Sequence, residues 1–282
     1  MSSPRVAIVT GGASGLGLAV AETLCRRDWR VHIFDINEAG GSAAAARLTR
    51  CVFHEVDVTA WHSLSSAFDA VFAAESQLDF VFANAGVMER GNFFERRDFS
   101  SPPPEPDELS IDANLKGVVK TSYLAQHYFR ANTHDDRDCV LVMTSSIAGI
   151  YPQAITPLYA ASKAGILNFM RSVAPIFHEQ DKIRTYAICP GSVRTNLLAK
   201  ELWDAYPQQY LTSMEKVLSI VESLAEGARF EDSKGKRFDK SVVGLAIEIF
   251  VDGVYFREPP DPCNEDMSNM ASPIHPGSVM VA

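Results

Sequence analysis

The chain has 282 residues, 46% of them hydrophobic, and a formal net charge of -9. That length and apolar content suit one large domain with a substantial core and exclude a largely disordered chain. The negative balance excludes a nucleic-acid or anionic-membrane surface, since either needs clustered Lys and Arg.

The N-terminal sequence MSSPRVAIVT enters a strand directly, without an apolar signal segment. The apolar run at residues 6–9 ends in Thr10-Gly11-Gly12, and a helical pattern follows on Leu16, Ala19, Val20, Thr23 and Leu24. Gly11, Gly15 and Gly17 give a Gly-x-x-x-Gly-x-Gly turn, with Ser14 and Leu16 inside it. Such a turn between strand and helix lets a pyrophosphate approach free N–H groups at the helix N-terminus. A second strand, residues 30–34, ends at Asp35. A carboxylate there can accept hydrogen bonds from the adenosine ribose and repels a 2′-phosphate. Neither Ser14 nor Ile36 supplies a compensating cation, so the expected cofactor is NAD.

Residues 39–48 can form a helix, weakened at its start by Gly40 and Gly41. A third strand at 51–56 is closed by Asp57-Val58-Thr59, an amphipathic helix covers 61–75, and a fourth strand at 78–83 leads to Asn84-Ala85-Gly86. This alternation predicts an α/β fold, a single-domain, Rossmann-like, doubly wound parallel sheet with helices on both faces. Residues 87–107 break the rhythm. Phe93, Phe94 and Phe99 precede a Ser- and Pro-rich stretch that cannot be regular. It reads as a long surface loop, either at the mouth of a site or an inert insertion. A helix over 108–130 carries Asn114, and Asn suits a helix interior poorly because its amide competes for backbone bonds.

A buried strand at 140–143 opens the central stretch, TSSIAGIYPQAITPLYAASK. On a helix over 157–177, Tyr159 and Lys163 lie one turn apart on the same face. A tyrosine hydroxyl titrates near ~10 and a neighbouring ammonium lowers that value. Ser146, in the turn before the helix, can hold a substrate oxygen while Tyr159 moves the proton. A strand at 183–189 then ends in Pro190-Gly191-Ser192-Val193-Arg194-Thr195, at the carboxyl end of the sheet where such folds bind ligands. Leu197, Leu198, Leu202, Trp203, Tyr206 and Tyr210 follow, fit either to close over a hydrophobic substrate or to pack in the core. A helix is expected over 214–225 and a last strand over 242–251. Residues 259–282 lack periodicity and read as a disordered tail, which leaves residues 1–258 as the one domain. Five scattered cysteines without CxxC spacing indicate neither a metal site nor a disulfide framework. With no apolar run of about 18 residues to span a bilayer, the chain is expected in the cytoplasm.

Taken in order, these segments resemble the short-chain dehydrogenase/reductase family from about residue 5 to residue 256. TGGASGLG at residues 10–17 resembles its cofactor turn, Asp57 with Val58 its adenine contact, and Asn84-Ala85-Gly86 its turn after the fourth strand. Asn114, Ser146, Tyr159 and Lys163 match its catalytic tetrad, and the thirteen-residue step to Tyr159 selects Ser146 over Ser145. Pro190, Gly191, Val193 and Thr195 resemble the segment holding the nicotinamide. The ending GLAIEIFVDGVYF and Asp35 look most like the NAD-dependent 15-hydroxyprostaglandin dehydrogenase branch, which includes fungal secondary-metabolism enzymes. The resemblance implies an NAD-dependent oxidoreductase acting on a small hydrophobic alcohol or ketone. It also implies a homodimer or homotetramer paired through the helices over 108–130 and 157–177. Ala83, Val254 and the long 87–107 loop depart from the pattern. A non-redox dinucleotide-binding protein, or a catalyst of cyclisation or isomerisation using the same pocket, is the alternative.

Overall fold

The computed structural model describes residues 4–98, 100–132 and 138–271. Strands and helices alternate as β1 (Val6–Thr10), α1 (Gly15–Arg26), β2 (Arg30–Asp35), α2 (Glu38–Arg47), β3 (Cys51–Glu55), α3 (Trp61–Glu75) and β4 (Phe80–Ala83). After the long loop come a π-helical turn (Ile111–Lys116), α4 (Gly117–Arg130), β5 (Val140–Thr144), α5 (Pro157–Asp181) and β6 (Arg184–Pro190). The chain ends with α6 (Lys200–Ala205), α7 (Met214–Glu226), the short pair β7 (Phe230–Glu231) and β8 (Arg237–Phe238), β9 (Leu245–Phe250), β10 (Gly253–Arg257) and α8 (Glu265–Ala271).

Eight strands form one sheet in the order β3-β2-β1-β4-β5-β6-β9-β10, parallel except for the antiparallel β9–β10 pair. Successive strand residues face two separate cores. Ile8, Phe34, Val81, Leu141 and Met143 join Leu64 and Phe68 of α3 and Ile166 and Met170 of α5 on one side. Ala7, Val9, Ile33, Phe82 and Val142 join Val20 and Leu24 of α1 and Val217 and Val221 of α7 on the other. A sheet covered on both faces needs strands without polar alternation, and the Val/Ile/Phe runs supply them. β1 lies between β2 and β4, so the order of connection reverses there. In sheets of this topology the ligand crevice lies at that switch point, outside the carboxyl ends of the strands.

The structure revises three of the sequence expectations. The helix expected over 108–130 is broken by the π-turn that contains Asn114. The last strand is a hairpin, with Val254 buried in the antiparallel β10, so the departure at that position is a packed strand residue. Residues 87–98 and 100–107 are irregular as expected, with Phe93 and Phe94 exposed, edge to face at 5.5 Å; Phe99 lies outside the described residues. The tail expected to be disordered carries α8, whose start is fixed by the Asn264 side chain accepting from the Met267 N–H at 2.8 Å. A local cap of that kind leaves no apolar period to read. Residues 272–282 lie outside the described residues. No helix among those described is long and apolar enough to cross a membrane.

Candidate active site

Thr10 pins the tips of three strands. Its hydroxyl accepts the Asn84 and Ala85 N–H groups at 2.9 and 3.0 Å. Asn84 in turn donates to the Thr10 carbonyl and accepts from the Thr144 hydroxyl of β5, both at 3.1 Å. The glycine turn packs against this knot. A Cβ on Gly17 would stand 2.1 Å from the Gly11 carbonyl oxygen, and one on Gly11 2.9 Å from the Ala85 Cα. Gly15 has φ +53°. Side chains are excluded where the turn meets the start of α1, and Ser14 makes no side-chain cap there, so the first N–H groups of the helix, with Leu16 among them, face the crevice without a side-chain acceptor.

Asp35 is bound into the same turn, accepting from Ala13 N at 3.0 Å and Asn37 N at 2.9 Å. Ile36 beside it is 69% exposed and brings no charge. Asp57 takes the Thr59 N–H and hydroxyl on one carboxylate oxygen at 2.8 and 2.7 Å, which shapes the loop after β3. Val58 is buried against Gly117 at the start of α4.

Gly86, Asn114 and Lys163 converge. A Cβ on Gly86 would lie 2.9 Å from Asn114 Oδ1 and 3.5 Å from Lys163 Nζ. Asn114 is fully buried. Its Oδ1 accepts from Val87 N at 2.7 Å, and its amide donates to Val87 O at 3.0 Å and Ser162 Oγ at 3.1 Å. Both amide hydrogens are thereby spent on protein acceptors, which fixes the amide's orientation. Lys163 donates to the Thr144 carbonyl at 2.9 Å, and its Nζ lies 5.6 Å from the centre of the Tyr159 ring. Burial without a counter-charge pushes its ammonium down to about 8.

Tyr159 is partly buried, and the Ser146 side chain lies beside its phenol. Burial pushes the phenol's pKa up, and Ser146 offsets part of that rise. The net direction is upward and set by burial, and the Lys163 ammonium is turned to the Thr144 carbonyl. Ser146 also caps the turn Ile147–Gly149 by accepting from Ala148 N at 3.1 Å. Its neighbour Ser145 donates instead to the Lys163 carbonyl at 2.8 Å. The two serines thus divide, Ser145 bonding the helix backbone and Ser146 lying beside the phenol.

Beyond β6, Gly191 N donates to Ile249 O at 2.8 Å, and a Cβ there would meet Thr212 Oγ1 at 2.6 Å. Val193 packs partly against the core beneath the sheet. Thr195 reaches the glycine turn, its Cβ 3.2 Å from where a Gly15 Cβ would stand. Residues 190–195 therefore close one side of the crevice. Trp203 is buried and its indole donates to the Thr195 carbonyl at 2.7 Å, while Leu197, Leu202 and Tyr210 stay exposed. The segment is thus part anchor, part open apolar surface. Thr10, Gly11, Gly17, Asn84 and Ala85 meet at the strand tips with Thr195 against Gly15, and Gly86, Asn114 and Lys163 converge next to them. Thr10 and Ser162, with Glu89 accepting from Tyr159 N at 3.0 Å, join these residues and were not among the predicted site residues, whereas Trp203, read as either substrate contact or core, is buried. Thr10 and Ser162 lie inside the TGG and YAASK motifs, whereas nothing local marks Glu89. Among the described residues no group of His, Cys, Asp and Glu could hold a metal ion.

The short chain dehydrogenase family profile matches residues 5–205. A short-chain dehydrogenase/reductase from Penicillium rubens, prx7, is 44% identical over 264 residues, covering 89% of this chain and 93% of that protein. Human 15-hydroxyprostaglandin dehydrogenase [NAD(+)] is 30% identical over 225 residues, covering 77% of this chain and 79% of the other. The crystal structure of a 3-ketoacyl-(acyl-carrier-protein) reductase from Brucella melitensis complexed with NADH superposes with a TM-score of 0.70 at 21% identity, over 86% of this chain and 96% of that one. The chain belongs to the short-chain dehydrogenase/reductase family of oxidoreductases.

Proposed function

We propose that this chain is an NAD(H)-dependent alcohol dehydrogenase or ketoreductase, interconverting a secondary alcohol and a ketone on a hydrophobic small molecule such as a secondary metabolite. The observation that carries this reading is the convergence of Ser146 and the Lys163 ammonium on the partly buried Tyr159, with Lys163 Nζ 5.6 Å from the centre of its ring. The crevice fits a dinucleotide. Its glycine turn excludes any Cβ where a pyrophosphate would lie, and Asp35 stands at the end of β2 with its carboxylate oriented by two backbone donors. Residues Gly11, Ser14, Gly15, Leu16 and Gly17 would hold the pyrophosphate, Asp35 the adenosine ribose, and Asp57 and Val58 the adenine. Asn84, Ala85, Gly86, Tyr159, Lys163, Pro190, Gly191, Val193 and Thr195 would surround the nicotinamide half. When bound, that cofactor supplies the hydride chemistry.

The chain's own residues place the oxygen and move the proton. Ser146 Oγ holds the substrate oxygen. Tyr159 Oη takes the alcohol proton in oxidation and returns it in reduction. Lys163 favours the phenolate, and Asn114 braces the floor beneath both. Exposed Leu197, Leu202 and Tyr210 offer apolar contact to a hydrophobic substrate. The reading extends to a cytoplasmic homodimer or homotetramer.

The test is a screen of secondary alcohols with NAD and of ketones with NADH, following the absorbance of the reduced cofactor. Tight NADH binding without turnover on any of them would favour a non-redox role. With a substrate in hand, NAD should exceed NADP in kcat/KM, because a 2′-phosphate would meet the Asp35 carboxylate. Asp35→Ala with Ile36→Arg should narrow or reverse that preference, and equal efficiencies in the parent would sink it.

A further inference from the structure

We infer that Glu89 is a positioning residue for the proton transfer, acting through a strap, residues 87–89, that holds the Tyr159 peptide at both its N–H and its C=O. The inference rests on the reading of Tyr159 as the proton-transfer group. Thr156 precedes α5 without a side-chain cap bond, and Pro157 opens the helix. The N–H of Tyr159, in the first turn, therefore has no acceptor from its own helix start. The Glu89 carboxylate takes it at 3.0 Å from a loop seventy residues earlier. At the other end of the same residue, the Tyr159 carbonyl accepts from Ser162 Oγ at 2.7 Å. Ser162 accepts from Asn114 at 3.1 Å, and Asn114 is bonded to both backbone groups of Val87 at 2.7 and 3.0 Å.

The hydrogen bonds thus form a closed ring: Val87, Asn114, Ser162, Tyr159, Glu89 and, through two peptide bonds, Val87 again. A ring fixes what a single cap does not, because the Tyr159 backbone cannot tilt without breaking a bond on one side. A carboxylate at a helix N-terminus is also favoured by the helix dipole, so the acceptor is strong where precision matters. The strap continues into the loop bearing the exposed Phe93–Phe94 pair. A substrate that moves that loop moves the group holding Tyr159.

The test uses the full chain as Glu89→Ala and Glu89→Gln, with the exposed neighbour variant Arg90→Ala as control. Hydrogen exchange at the start of α5, NADH affinity by fluorescence quenching, and kcat with the best substrate are compared. Glu89→Ala should speed exchange around Tyr159 and lower kcat about tenfold, since displacements near one ångström carry losses of that order or larger. NADH affinity should stay within about twofold, because the strap makes no part of the glycine turn. Glu89→Gln keeps an acceptor oxygen and should restore both exchange and kcat towards the parent. Unchanged kcat in Glu89→Ala overturns the inference, as does a matching loss of NADH affinity, which would mark a general loosening of the crevice. If the parent turns over no alcohol or ketone, the proton-transfer reading fails by itself. Exchange then decides the strap, and an unaltered rate at Tyr159 in Glu89→Ala overturns it.

Discussion

Lys163 carries its ammonium where burial opposes the charge, with one carbonyl as partner and no carboxylate beside it. Its folded value, about 8, lies below the 10.5 of an exposed lysine. The unfolded chain therefore binds more protons between those values, and the parent gains stability as pH rises through that window. A shift of that size corresponds to at most about 3 kcal/mol. Chemical denaturation of the parent and Lys163→Met at several pH values isolates the effect, because their other groups titrate alike. The difference should move in favour of the parent from pH 8 upward and stay flat below it. A flat difference throughout would mean that Lys163 is not held charged at a cost. The same two residues set the rate. Burial raises the Tyr159 phenol above its usual value of 10.0, so alcohol oxidation should rise with pH until that group and the cofactor's charge bring the phenolate within reach. Tyr159→Phe keeps the ring but loses the proton, and should cut turnover by at least about a hundredfold while leaving NADH binding intact. Near-normal turnover in that variant would remove Tyr159 from the reaction.

At the scale of elements, what sequence made legible is what local chemistry dictates. The runs Val6–Thr10 and Val140–Thr144 had to be strands covered on both sides, because almost every residue in them is apolar. The glycine turn was legible since only glycine fits at positions 11 and 17, and the i, i+4 spacing placed Lys163 by Tyr159. What stayed hidden depends on distant partners. The π-turn around Asn114 has no period of its own, and Glu89 caps a helix seventy residues away. The helix Lys200–Ala205 is short and gave no signal, yet it delivers Trp203 to the Thr195 carbonyl. That indole is the hinge pin of the 190–195 segment. Trp203→Ala should cost about 3–5 kcal/mol in stability through the cavity it leaves. Trp203→Phe keeps most of the packing but drops the bond to Thr195. It should weaken NADH binding several-fold with little change in kcat at saturation. Parent-like NADH affinity in Trp203→Phe would show that packing alone holds the segment.

For the whole molecule, a pairing of copies through α4 and α5 would have to use the outer faces of these helices. On these helices Val118, Leu124 and Ile166 are buried in the chain's own core, with Phe169 and Val173 packed partly against it. Their apolarity is used within one chain. What remains outside is Tyr123 on α4, 65% exposed, its ring 6.2 Å from that of half-exposed Trp61 on α3. Aromatic surface of this kind is enriched where proteins meet. If copies pair through these helices about a two-fold axis, each Tyr123 is buried in a self-complementary contact. Tyr123→Arg then places two like charges in that contact and should shift the assembly towards monomer, as read by sedimentation or light scattering at micromolar concentration. Thermal stability at high dilution should be unaffected, since the side chain makes no core contact. Substitution of Val118 should do the reverse, weakening the fold itself. A monomeric parent, or a Tyr123→Arg chain with the parent's mass, would place any assembly on another face.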